Sequence, residues 1–155
     1  MSKFIGVKLV KTVPMTAGVA INKGYRITNS IPDAFGYEVT YEDGYKSWCP
    51  KDVFEKNNRP IDGMTFGFAI EALKKGLKVA RKGWNGKGMY LWFKPAARIK
   101  SDWCKDPMLK EIVDANGGET EALGTICMKT ADNKILTGWL ASQTDILSED
   151  WIIVE

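Results

Sequence analysis

The segment Arg81-Lys82-Gly83-Trp84-Asn85-Gly86-Lys87-Gly88-Met89 gathers cationic, glycine and aromatic residues into one short stretch. Gly83, Gly86 and Gly88 would let backbone amides approach an anion closely. Arg81, Lys82 and Lys87 add positive charge beside them. The spacing is not that of a Walker loop, because no Ser or Thr follows the Gly-Lys pair. Nor is it a dinucleotide fingerprint, since a strand pattern rather than a helical one comes next. The plainer reading is a Gly-rich hairpin, and a short motif alone favours it.

A second set, Trp84, Tyr90, Trp92, Trp139 and Trp151, offers ring faces on which nucleobases stack, each stack being worth about 1–3 kcal/mol. Core packing explains alternating Tyr90 and Trp92 equally well. Trp84, in a glycine turn beside Arg81, is the member best placed to face a ligand. A third stretch, Gly138-Trp139-Leu140-Ala141-Ser142-Gln143-Thr144-Asp145, sets hydroxyl, amide and carboxylate groups around a helix start. Capping by Ser142 and Asp145 alone would also account for both residues. Asp145, Glu149 and Asp150 lie close enough in sequence for acid–base work. Carboxylates so grouped are more often a solvated face or a helix terminus.

Much chemistry is excluded outright. The chain of 155 residues has no histidine, so imidazole-based triads and histidine-containing zinc sites are absent. Its three cysteines, Cys49, Cys104 and Cys127, form no CxxC pair and read as reduced thiols of a cytosolic protein. The N-terminal residues hold no apolar run that would target or span a membrane. A net charge of +3 would help attract a phosphorylated ligand. It falls well short of what a protein that wraps nucleic acid carries. No cofactor or metal is expected.

The elements that must position these residues fall into two units. Residues 1–60 read as a small β-rich unit: a strand from Lys3 to Val13, a turn at Pro14, and a hairpin. The hairpin pairs Tyr37–Tyr41 with Tyr45–Trp48 around Glu42-Asp43-Gly44, where Asp-Gly supplies a positive φ. Pro50 then opens a helix over Lys51–Lys56, with Val53 and Phe54 expected on its buried side. Asn57-Asn58-Arg59-Pro60 reads as a linker.

Residues 64–155 read as a larger α+β unit. Thr65 caps a helix with Phe66, Ala69, Ile70, Leu73 and Leu77 at helical spacing, and Gly76 stops it. Strands follow at Lys78–Arg81 and Met89–Phe93, on either side of the glycine turn. The pattern fades from Pro95 to Gly118, apart from a short helix over Met108–Val113. Strands resume at Ile126–Lys129 and Ile135–Leu136. Ser142 and Asp145 have capping-box spacing for another helix, and Trp151–Val154 ends the chain as a strand. The fold class is α+β, with small antiparallel sheets and short helices.

Two long motifs in this order resemble the second family of Thoeris anti-defence proteins. The first runs Met64-Thr65-Phe66-Gly67-Phe68-Ala69-Ile70-Glu71-Ala72-Leu73, then Lys78 through Met89. The second runs from Gly138 through Trp151. The resemblance implies a phage protein in the cytoplasm of the infected host that binds cyclic ADP-ribose isomers made by bacterial TIR-domain sensors. It implies sequestration without cleavage, and in some members binding of CBASS cyclic dinucleotides at a separate site. It further implies a homotetramer with pockets between subunits. Carried onto this chain, it makes Arg81, Trp84, Asn85, Gly86, Lys87, Gly88, Met89, Trp139, Ser142, Gln143 and Asp145 the expected ligand-binding residues. The alternatives are a hydrolase of the same messengers using Asp145 or Glu149, and a nucleic-acid-binding accessory protein built on residues 1–60. That first unit and the 95–122 insertion lie outside the resemblance.

Overall fold

The computed structural model describes residues 7–155, and the chain divides into two compact units, Met1–Pro60 and Ile61–Glu155. The part of the expected first strand before Val7 lies outside the described residues.

In the first unit, strand β1 spans Lys11–Thr16, helix α1 Ala17–Asn22, strands β2 and β3 Phe35–Thr40 and Lys46–Pro50, and helix α2 Lys51–Asn57. The three strands form an antiparallel sheet in the order β1-β2-β3. The expected turn at Pro14 is instead the middle of a strand, with Pro14 opposite Tyr37. An edge strand tolerates proline because its missing N–H can face away from the ladder. The turn comes at Thr16, whose hydroxyl caps α1 by accepting the Val19 amide at 3.4 Å. Ala17 and Ala20 are fully buried one helical turn apart. The hairpin forms as read: Gly44 has φ of 83°, and the Tyr41 amide donates to the Tyr45 carbonyl at 2.9 Å. Trp48 crosses Gly36 so closely that a Cβ there would meet its ring, and its indole N–H donates to the Met15 carbonyl at 3.3 Å. Pro50 does open α2, but Val53 faces solvent. Phe54 is half-buried against the Tyr37 ring, so one residue of α2, not two, reaches inward.

In the second unit, α3 (Phe66–Lys74) precedes β4 (Lys78–Arg81), β5 (Tyr90–Lys94) and β6 (Ala97–Lys100). A 3-10 turn at Ser101–Trp103 leads to α4 (Pro107–Ala115), β7 (Glu119–Ala122), β8 (Thr125–Lys129), β9 (Ile135–Thr137), α5 (Gln143–Leu147) and β10 (Trp151–Val154). Five strands form an antiparallel sheet in the order β10-β4-β5-β8-β9. Gly76, at φ of 82°, ends α3 as expected, with the Leu77 amide returning to the Ala72 carbonyl. Thr65 holds the N-cap position but its side chain makes no capping bond. The main core cluster lies on one side of the sheet, where Ala69, Ala72 and Leu73 of α3 pack on Val79, Leu91, Met128 and Trp151; the small residues Ala80 and Cys127, on the other side, are buried as well. Burial of this apolar surface is the main stabilising term.

The insertion is more ordered than its sequence suggested. β6 and β7 pair antiparallel, with Arg98 opposite Glu121 and Lys100 opposite Glu119. α4 begins one residue before Met108 and runs two beyond Val113, because Pro107 holds its first turn and the Asp106 carboxylate accepts the Leu109 amide at 2.9 Å.

Candidate functional site

β4 and β10 set the site. Their antiparallel register puts Trp151 opposite Arg81, so Asp150 arrives beside the start of the glycine turn. α5 lies within the second motif and carries Asp145 on its first turn. The guanidinium of Arg81, only 11% exposed, then meets two carboxylates. Nη1 donates to Asp145 Oδ1 at 2.8 Å, and Nε donates to Asp150 Oδ1 at 2.8 Å. Every polar atom of the Asp145 carboxylate is used. Oδ1 also accepts the Trp84 indole N–H at 3.0 Å. Oδ2 accepts the Ser142 amide at 3.1 Å and the Ser142 hydroxyl at 2.7 Å. The Ser142 hydroxyl in turn accepts the Asp145 amide at 3.1 Å, completing the capping box.

These contacts fix the charge states. Burial by itself would raise the Asp145 carboxyl, but donors from Arg81, Ser142 and Trp84 outweigh it and hold it at about 2. The Arg81 hydrogen bond leads the causes that lower Asp150, with the Gly83 amide adding to it. Arg81 is raised in return, chiefly by Asp150. At neutral pH the cluster holds one cation and two anions. Such carboxylates are weak bases, because a general base works best with its pKa near the operating pH.

The glycines have different reasons for being glycine. The Gly83 amide does approach an anion, but that anion is Asp150 Oδ2 at 2.7 Å, a group of the same chain. A Cβ on Gly83 would lie 2.7 Å from that oxygen. At Gly86 a Cβ would run into Met89 Sδ and the Ala131 methyl, so this glycine lets the turn fold onto Met89. Gly88 has φ of 69°, and its carbonyl accepts Lys129 Nζ at 3.0 Å. Asn85 and Lys87, at the tip, are exposed. So are Ser142 and Gln143.

Behind the turn lies an aromatic wall. Trp84 is half-buried and meets Trp139 and Trp151 edge to face, with ring centroids 6.1 and 5.5 Å apart. Phe66 adds a ring 5.4 Å from Trp151, whose indole N–H donates to the Asp145 carbonyl at 2.9 Å. Trp151 is fully buried and belongs to the core. The structure thus joins Arg81, Trp84, Ser142 and Asp145 through direct hydrogen bonds, with Trp139 against Trp84. Met89 packs on the core. Tyr90 and Trp92 form a separate pair, 6.0 Å apart. Asp150 and Phe66 were outside the expected set. The signal for Asp150 was its place one residue before a strand that pairs with Arg81.

Among the described residues, no three His, Cys, Asp or Glu side chains are grouped to hold a metal ion. No described helix is long and apolar enough to cross a membrane. A surface hollow of about 420 Å³ in the first unit is lined by Lys8, Leu9, Tyr41, Glu42, Asp43 and Tyr45, none of them in the two motifs.

Comparison with known proteins places this geometry in a family. Residues 64–154 match the model of the Tad2-like, Thoeris anti-defense 2-like domain. The chain is also 42% identical over 98 residues to the Thoeris anti-defense 2 protein of Bacillus phage SP01, an alignment covering 59% of this chain and 94% of the relative. The matched segment contains the glycine turn, the Arg81–Asp145–Asp150 cluster and the aromatic wall. The chain therefore belongs to the Thoeris anti-defense 2-like family.

Proposed function

We propose that this protein captures a cyclic nucleotide immune messenger, a cyclic ADP-ribose isomer or a cyclic dinucleotide, and holds it without cleaving it. The single observation that carries this reading is the engagement of both site carboxylates by Arg81, behind a turn that leaves Asn85 and Lys87 exposed. A trap requires fixed recognition groups and no activated base. Asp145 and Asp150 are consumed in holding the turn, and the sequence has no histidine to replace them. The same observation weighs against a hydrolase that uses Asp145.

In this reading Trp84 and Trp139 supply stacking surface, Asn85 and Gln143 read polar edges, and Lys87 meets a phosphate. Arg81, Ser142 and Asp145 are positioning residues that lock the Trp84 ring. Sequestration below an effector's threshold calls for a Kd of about nanomolar, near −12 kcal/mol. Assembly as a homotetramer, with a pocket shared between subunits, would exclude water and bring further contacts.

Calorimetric titration with a cyclic ADP-ribose isomer and with a cyclic dinucleotide tests the reading. Heat release of the bound ligand, followed by chromatography, should return it intact. A cleaved product would replace the trap with an enzyme. Absence of saturable binding to both ligands would remove the messenger altogether.

A further inference from the structure

The five-stranded sheet has a second face that the site does not use. Side chains alternate along β5, so Leu91 enters the core beneath α3 while Tyr90, Trp92 and Lys94 point the other way. The register carries this face across the sheet, with Lys129 opposite Tyr90 and Cys127 opposite Trp92 on β8. On β4, where Val79 faces Leu91, Lys78 and Ala80 belong to the same side. α3, the helix that covers the sheet, lies on the Leu91 side.

Charge on this face is strongly biased. Its strand positions include Lys78, Lys94 and Lys129 and no Asp or Glu. Two of the lysines lie near the Tyr90 ring, Lys78 Nζ at 5.3 Å and Lys129 Nζ at 5.9 Å from its centroid. Tyr90 and Trp92 lie 6.0 Å apart and are both half-buried, neither sealed in the core.

We propose that this face binds single-stranded nucleic acid, with bases stacked on Tyr90 and Trp92 and phosphates held by Lys78, Lys94 and Lys129. Two half-exposed aromatic residues on the central strand, with small buried Ala80 and Cys127 beside them, give footing to successive unpaired bases, and flanking lysines follow the backbone. A duplex hides its base faces and gains nothing from the rings. The mild net charge of the whole chain does not bear on this, because recognition depends on where cations cluster. The inference does not depend on the proposed messenger site, although Lys129 also donates to the Gly88 carbonyl of that turn.

The test is fluorescence anisotropy of the full chain with labelled twelve-nucleotide oligo-U and oligo-dT. Saturable binding to either is expected, with log K falling against log salt at a slope of about −2 for three phosphate contacts. Trp92→Ala should weaken binding about tenfold or more. Lys78→Gln/Lys94→Gln, which keeps the length and polarity of both side chains and removes only their charge, should bring the slope to about −0.7, with thermal melting confirming that the variant is folded. The proposal is overturned by absence of saturable binding at low salt, or by equal binding of a duplex of the same length. It is likewise overturned if the lysine variant leaves the slope unchanged, or if a saturating cyclic ADP-ribose isomer displaces the oligonucleotide.

Discussion

The indole N–H of Trp84 and the guanidinium of Arg81 end on the same oxygen, Oδ1 of Asp145, at 3.0 and 2.8 Å. One carboxylate thereby fixes both the ring that backs the turn and the cation at its base. Asp145 is 8% exposed, so little water is available to replace it.

Asp145→Ala should therefore unfold the second unit more readily than its surface-like sequence setting suggests. Removing one partner of a buried pair costs about 3 kcal/mol. The residual Arg81–Asp150 pairing keeps the loss toward the low end of that class. Urea denaturation followed by tryptophan fluorescence measures it, and a loss below about 1 kcal/mol would mean that the network contributes little.

The pH dependence has a definite sign. The folded pKa of Asp145, about 2, lies below its ordinary value of 3.8. Its contribution to stability is thus fully present above pH 4 and fades as pH falls from about 4 toward 2. Integrated over that interval it amounts to about 2 kcal/mol. Denaturation midpoints measured between pH 7 and pH 2.5 should drop below pH 4, and Asp145→Asn should flatten the drop.

Binding and folding can be separated within the same turn. Asn85 and Lys87 are exposed at its tip, whereas Arg81 is paired at its base. Asn85→Ala and Lys87→Ala should each weaken messenger binding about tenfold, with Tm unchanged. Arg81→Ala should lower Tm as well. Titration beside thermal melting distinguishes the two classes, and an unaltered Kd in both tip variants would move the ligand elsewhere.

In the first unit, Gly36→Ala should be disruptive despite its small size. The added methyl would meet the Cys49 carbonyl and the Trp48 ring, and overpacking of this kind costs about 1–3 kcal/mol. Trp48 can relieve it only by giving up its hydrogen bond to Met15. Expulsion of the indole should appear as a red-shifted component of the emission and a lower midpoint for this unit.

Elements with a local signature were legible in the sequence, and those that depend on distant partners were not. α3, β4 and the α5 capping box carry their instructions within a few residues, and each stands where the spacing put it. β6 and β7 do not: Ala97–Lys100 and Glu119–Ala122 have poor strand composition and pair across the length of α4. A turn expected at Pro14 hides α1, whose local signals are the Thr16 cap and the Ala17–Ala20 spacing. The site was half legible. The glycine turn and the capping motif were visible, but their joining through Arg81 depends on β4–β10 pairing, which no local pattern encodes.

Pro14 has one more consequence. Among the described residues, the outer margin of β1 is an unfinished ladder, and an unfinished ladder invites a strand from another molecule. A residue with no amide hydrogen, followed along the strand by only Met15 and Thr16, interrupts that invitation. Pro14 within the strand thus leaves that margin a poorer template for an added strand than an unbroken row of amides would be.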